Sequence, residues 1–253
     1  MVNAMENLGA KLVDLELEGK TLYADGKSVG CDVRIVSQMR DVLADPSIAD
    51  SAGSTEAYFM YRGAGVHKNE PLFRKHTMRY DVTVISGARL GHESNKTLGH
   101  YHPIATEGLS YPELYEIIRG KALMLAQRIL PDGGFDVTLT EALAGDRVLV
   151  PPNYGHITIN PTTEPLVMAN LVNSDFKSDY APIAAKRGGA VYAMADGSLL
   201  LNDAYRKVCI TRNDRPARMP FLDKYASIYD AFVEVPDRFE FLNDPRLVGK
   251  AHE

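Results

Sequence analysis

The sequence predicts an all-β fold, an antiparallel barrel or sandwich with a few peripheral helices and a C-terminal extension. Three observations carry that prediction. Between Glu56 and Val172 short runs rich in β-branched and aromatic residues follow one another: EAYFMY, RYDVTVIS, ELYEII, KALMLAQRI, FDVTLT, DRVLVP, HITIN and PLVMANLV. Turn chemistry separates them, as in Pro131-Asp132-Gly133-Gly134 and Ala144-Gly145-Asp146. Their spacing is near regular, which is the pattern of an antiparallel sandwich or barrel rather than of alternating strands and helices.

Taken in order, residues 1–50 form an N-terminal segment with a turn at Ala24-Asp25-Gly26-Lys27 and a stretch VRIVSQMRDVLAD. In that stretch Val33, Val36, Met39 and Val42 recur at roughly helical spacing, which predicts a helix packed across the barrel. Residues 51–185 make the barrel itself. Residues 186–253 begin with a hairpin, AVYAMADGSLLL, turning at Asp196-Gly197, and end in an extension whose Tyr225, Tyr229, Phe232, Phe239 and Phe241 require something to pack against.

Of the 253 residues, 45% are hydrophobic and 24% charged, enough to bury a substantial core. The formal charge of −5 and the absence of a Lys/Arg run exclude a general electrostatic footprint for nucleic acid, so any anionic ligand has to be caught locally. Cys31 and Cys209 are far apart and form no CxxC pattern, which excludes a disulfide scaffold or a thiolate zinc site and fits a reduced compartment. The opening MVNAMENLGAKLVDLELEGK carries acids and lacks an apolar core, so the expectation is a cytoplasmic protein with neither signal peptide nor membrane span.

The chemistry is concentrated in TLGHYHP. On an extended strand residues i and i+2 share a face, so His100 and His102 direct both imidazoles to one side while Tyr101 points away. Such a pair alone is common without a metal. A third histidine, His156, follows the sharp Pro-Pro turn of VLVPPNYGHITIN, and two carboxylates stand near enough in sequence to join. Glu107 is followed by Gly108 and stands in a turn, whereas Glu113 opens the alternating strand ELYEII and has Gly120 seven residues later. The reading therefore takes Glu113, with Tyr115 and Ile117 on the same inward face. Three imidazoles and one carboxylate suit Fe²⁺, Mn²⁺, Ni²⁺ or Zn²⁺ and leave room for two substrate oxygens. His67, His76, His92 and His252 have no partner pattern and are expected to be solvated.

These motifs resemble a cupin, and the resemblance implies that the barrel is a jelly roll. The runs VTVISG, TLGHYHP, PELYEIIRGKALMLAQ, VLVPPNYGHITIN and DYAPIA, in order from about Val33 to Lys207, are similar to the cupin-type glucose-6-phosphate isomerases first known from archaea. The resemblance implies a homodimer with one divalent ion per subunit, Fe²⁺ foremost and Mn²⁺, Zn²⁺ or Ni²⁺ as alternatives. It implies interconversion of glucose 6-phosphate and fructose 6-phosphate through a cis-enediol or a hydride shift. By position, His100, His102, Glu113 and His156 match the metal ligands, with Glu113 and Tyr115 in the catalytic roles. Thr83, Thr97 and Gly99 match residues at the phosphate end, and Tyr58, Tyr115 and Tyr180 match substrate-lining tyrosines. Lys96, Arg89 or Arg79 is expected to supply the missing positive charge. Ser178 stands where the family has a histidine and Val172 where it has a tyrosine, and the loop Pro103–Pro112 is long for the family. Mannose 6-phosphate is a further candidate substrate. Two rivals remain: a cupin dioxygenase using the same metal set, which requires an apolar pocket, and a non-enzymatic sugar-binding cupin, which requires no ordered metal.

Overall fold

Two six-stranded sheets face each other in the computed structural model, which describes residues 6–252 apart from Ala10, Leu12, Val13 and Val66. The first five residues of the N-terminal segment lie outside the described residues. In chain order the barrel strands are β1 Cys31–Ile35, β2 Glu56–Tyr61, β3 Met78–Ile85, β4 Arg89–Leu90, β5 Glu93–Lys96, β6 Glu113–Arg119, β7 Lys121–Ile129, β8 Phe135–Leu143, β9 Arg147–Val150, β10 Gly155–Asn160, β11 Leu166–Asn173 and β12 Val208–Asn213. One sheet runs β9-β6-β11-β3-β2-β1 and the other β12-β8-β7-β10-β5-β4. Neighbours are antiparallel except β8 and β12, which pair parallel, so the barrel receives its last strand from the C-terminal region. This is the all-β cupin architecture. Among the described residues no helix is long and apolar enough to cross a membrane.

Strand β11 shows how the sequence builds the layers. All eight of its residues, LVMANLVN, are buried, because both faces of its sheet are covered. Leu166 and Met168 point inward and pack with Ile85, Tyr115 and Ile117 in the barrel interior. Val167, Ala169 and Leu171 point outward and pack with Tyr80, Val82 and Leu114 beneath a second layer. That layer combines Leu15 and Leu22 of a four-stranded N-terminal sheet with Tyr229 and Phe232 of the helix Ile228–Glu234 and with Phe239 and Phe241 beyond it. The C-terminal aromatics are thus ordered against the outer face of one barrel sheet. The turn at Asp25-Gly26 is present, with both residues at positive φ, the geometry of a two-residue hairpin loop. The hairpin about Asp196-Gly197 is present too, as Val191–Ala193 paired with Leu199–Leu201.

The helix read across VRIVSQMRDVLAD is corrected. Its first residues belong to strand β1, where Val33 is 41% exposed and pairs with Phe59, and only Val36–Val42 are helical, as a 3₁₀ helix. The three-residue recurrence of Val36, Met39 and Val42 is the 3₁₀ period itself, which stacks i and i+3 on one face and buries all three.

Candidate active site

The histidine pair follows β5 through a bend that only glycine allows. Gly99 has φ +77°, and a methyl at its Cβ position would be driven into Ile157. The chain then runs beside β10, and His100 and His156 exchange backbone hydrogen bonds of 3.2 and 3.0 Å. Tyr101, facing the other way, lays its ring over Gly155, where a methyl group would meet it, and accepts a hydrogen bond from Gln127 Nε2 at 3.2 Å. The glycine after the Pro-Pro turn therefore keeps two strands close enough to share a site.

His102 Nδ1 lies 2.8 Å from the Tyr111 carbonyl, which can only accept, so Nδ1 carries a proton and Nε2 is the atom turned toward the cluster. That Nε2 is 3.1 Å from His100 Nε2 and 3.3 Å from Glu113 Oε2, and Glu113 Oε2 is 3.2 Å from His156 Nε2. The ligand atoms of His100, His102, Glu113 and His156 all lie within 4.8 Å of one another. Burial, reinforced by repulsion from His156 and His102, holds the His100 imidazole well below the usual histidine range, and burial also lowers His156. Burial alone would raise the Glu113 carboxyl, but its contacts with His102 and His156 prevail and hold it well below the carboxylate range. Three imidazoles and an ionised carboxylate whose ligand atoms converge are the donor set of a borderline divalent cation. Tyr115 adds a hydroxyl 3.0 Å from His156 Nε2, and burial pushes that phenol well above its ordinary range.

The cluster stands in a cavity that Tyr58, Thr83, Thr97, Gly99, Tyr115 and Tyr180 also line. Tyr58 Oη accepts from the Leu98 N–H at 3.3 Å, and Thr97 Oγ1 accepts from the Thr158 N–H at 3.1 Å. Val172 and Ser178 border the same space. Sequence reasoning missed Arg62, Asp81 and Phe176, which line it as well. Phe176 stacks on Tyr111 at 5.0 Å and lies 4.5 Å from the His102 ring. The sequence signal for Asp81 was a charge in the otherwise apolar run YDVTVI, on the same strand face as Arg79.

Other expectations are corrected. Lys96 is 3% exposed, pairs with Glu93 and donates to the Val42 carbonyl at 2.6 Å, so it is part of the core. Arg89 donates to Ser94 Oγ at 3.1 Å and to the Pro161 carbonyl. Neither lines the cavity, whereas Arg79 does. The long loop after Pro103 is a ribbon, Ile104–Thr106 with Leu109–Ser110, and Glu107 sits at its turn with φ +48°, paired to Arg246 at 2.9 Å. His67, His92 and His252 are exposed, but His76 is half-buried, packs edge-on against Phe232 and keeps a buried Nε2 that finds no hydrogen bond among the described residues.

A double-sheet β-barrel with three histidines and one glutamate gathered inside it is a cupin with a metal-type site. Within that class the model of the glucose-6-phosphate isomerase (GPI) family matches residues 33–209, from β1 into β12, and the chain belongs to that family of enzymes. It is 30% identical over 126 residues to the glucose-6-phosphate isomerase of Thermococcus litoralis, covering 50% of this chain and 62% of that protein. It is 27% identical over 171 residues to that of Pyrococcus furiosus, covering 68% of this chain and 85% of that protein. Among solved structures, the Bacillus subtilis oxalate decarboxylase with Mn(II) centres is similar at a TM-score of 0.35 and 22% identity, over 49% of this chain and 28% of that one.

Proposed function

We propose that this chain is a metal-dependent aldose-ketose isomerase interconverting glucose 6-phosphate and fructose 6-phosphate. The observation that supports it above all is the convergence of the His100, His102, Glu113 and His156 ligand atoms within 4.8 Å, inside a cavity bordered by hydroxyl and guanidinium groups. A divalent cation on those four residues would supply Lewis-acid stabilisation of the charge that builds on adjacent sugar oxygens as the carbonyl moves between C1 and C2. Glu113 is the group that carries a proton between the two carbons if the route is a cis-enediol, and in a hydride shift it serves as ligand alone. Tyr115, with its hydroxyl held at His156, orients the reacting end of the sugar. The Thr83 and Thr97 hydroxyls and the N–H of Gly99 itself donate toward the phosphorylated substrate, and Tyr58 and Tyr180 flank it. Phe176 and Tyr111 form a stacked wall that keeps water from the His102 side.

The hydroxyl and guanidinium groups in the lining favour this reading over the dioxygenase, whose substrate chemistry calls for an apolar pocket. A homodimer with one ion per subunit, Fe²⁺ first among Mn²⁺, Zn²⁺ and Ni²⁺, and a cytoplasmic location belong to the same proposal. The test is to strip the protein of metal, reload it with each ion in turn, supply fructose 6-phosphate and follow glucose 6-phosphate, with mannose 6-phosphate in parallel. Turnover that depends on the ion is expected. Absence of turnover with every ion defeats the proposal.

A further inference from the structure

A phosphate monoester carries close to two negative charges at neutral pH, and an enclosed site has to replace the hydration those charges lose. The threonines offer neutral donors only, and Lys96 and Arg89 are engaged elsewhere. The Lys and Arg residues that line the cavity are Arg62 and Arg79. Both are anchored on one buried carboxylate. Asp81, 5% exposed, accepts the Gly63 N–H at 2.9 Å, takes Arg79 Nε on both oxygens at 2.9 Å and lies 3.9 Å from Arg62 Nη1. Arg62 also approaches the exposed Asp32 through Nε at 3.3 Å and Met60 Sδ through Nη2 at 3.6 Å. Among the described residues the terminal nitrogens of Arg79 hydrogen-bond to nothing, so its outer edge keeps the planar fork that matches a phosphate.

The strand register places this pair beside the metal cluster. Tyr115 pairs with Asn170 and Asn170 with Asp81, so Asp81 stands two strand spacings, roughly 10 Å, from Tyr115 on the same inward face. Arg79 pairs with Val172, a small side chain where the family resemblance leads one to expect a tyrosine, and Ser178 is small where a histidine is expected. Space and positive charge thus occur together on one wall. We infer that Arg62 and Arg79, braced by Asp81, form an anion subsite that binds the phosphate group of the substrate. The inference rests on the sugar-phosphate reading above and gives that reading its electrostatic half.

The probe is inorganic phosphate, titrated calorimetrically into the metal-free protein, so that binding is read without turnover. Arg62→Gln removes an outer guanidinium and leaves the Arg79–Asp81 pair intact. It is expected to weaken phosphate binding about 10- to 100-fold, the effect of losing one charge-assisted contact, and to raise KM for fructose 6-phosphate more than it lowers kcat. Arg79→Lys keeps Asp81 paired while losing the fork and should fall in the same range. Phosphate affinity equal to wild type in both variants overturns the subsite, as does no phosphate binding by the wild-type protein. A chain that binds phosphate through these arginines yet turns over no sugar with any metal leaves the subsite standing and defeats the isomerase reading.

Discussion

At the scale of single residues the site turns on which glutamate faces the histidines. Glu113 is 4% exposed with its Oε2 against His102 and His156, while Glu107 lies at the tip of a surface ribbon and pairs with Arg246. Glu113→Gln replaces an ionised carboxylate by a neutral amide and, on the proposed function, should cost most of the metal retained after desalting, together with the activity. Glu107→Gln should leave both at wild-type level, since an exposed ion pair contributes little. Metal content by elemental analysis decides, and a reversed result reassigns the ligand. The histidines and Glu113 were legible because a period of two fixes their faces regardless of the rest of the fold. Arg62 and Asp81 were not, because which charged residue on one strand meets which on another depends on the order β11-β3-β2, and no local pattern states that order.

At the scale of elements, the barrel strands were legible because each is a short run bounded by turn residues, and the observed β2 and β7 coincide with EAYFMY and KALMLAQRI. The segment after Cys31 was not. Its apolar residues recur strictly every three, a 3₁₀ period that passes for a helix of ordinary pitch only over a single turn, and pairing with β2 claims the first residues as strand. The helix Ile228–Glu234 illustrates how faces separate stability from chemistry. Ser227 Oγ caps it by accepting the Asp230 N–H at 3.0 Å, and Phe232, fully buried, meets Phe73 at 4.6 Å between ring centres. Phe232→Ala should cost about 3–5 kcal/mol in urea unfolding, through lost burial and the cavity left behind. Mn²⁺ affinity of the folded protein should not change, because on β6 Leu114 faces this helix and Glu113 faces the interior. A parallel loss of Mn²⁺ affinity would show that the two faces are coupled.

At the scale of the whole molecule, the family match ends at residue 209, yet the chain after it is built into the barrel rather than hung from it. Strand β12 extends the second sheet, and residues beyond it cover the outer face of the first, where Tyr61, Tyr80, Val82, Leu114 and Val167 are each at most 2% exposed. The cover is polar as well as apolar. Glu116, 4% exposed, accepts the Ile228 N–H at 3.0 Å and pairs with Arg147 at 2.9 Å, and Arg147 donates to the Tyr225 carbonyl at 3.2 Å. A chain ending at Asn213 would therefore expose a contiguous apolar face and strip a buried carboxylate of one of its donors, both large penalties for a protein of ordinary stability. It should aggregate or elute as a broad, expanded species on size exclusion, with weaker near-ultraviolet circular dichroism than the full chain. The residues grouped as a metal-type site all lie before residue 213, so a truncated chain that stayed compact and bound Mn²⁺ as the full chain does would show the cover to be dispensable.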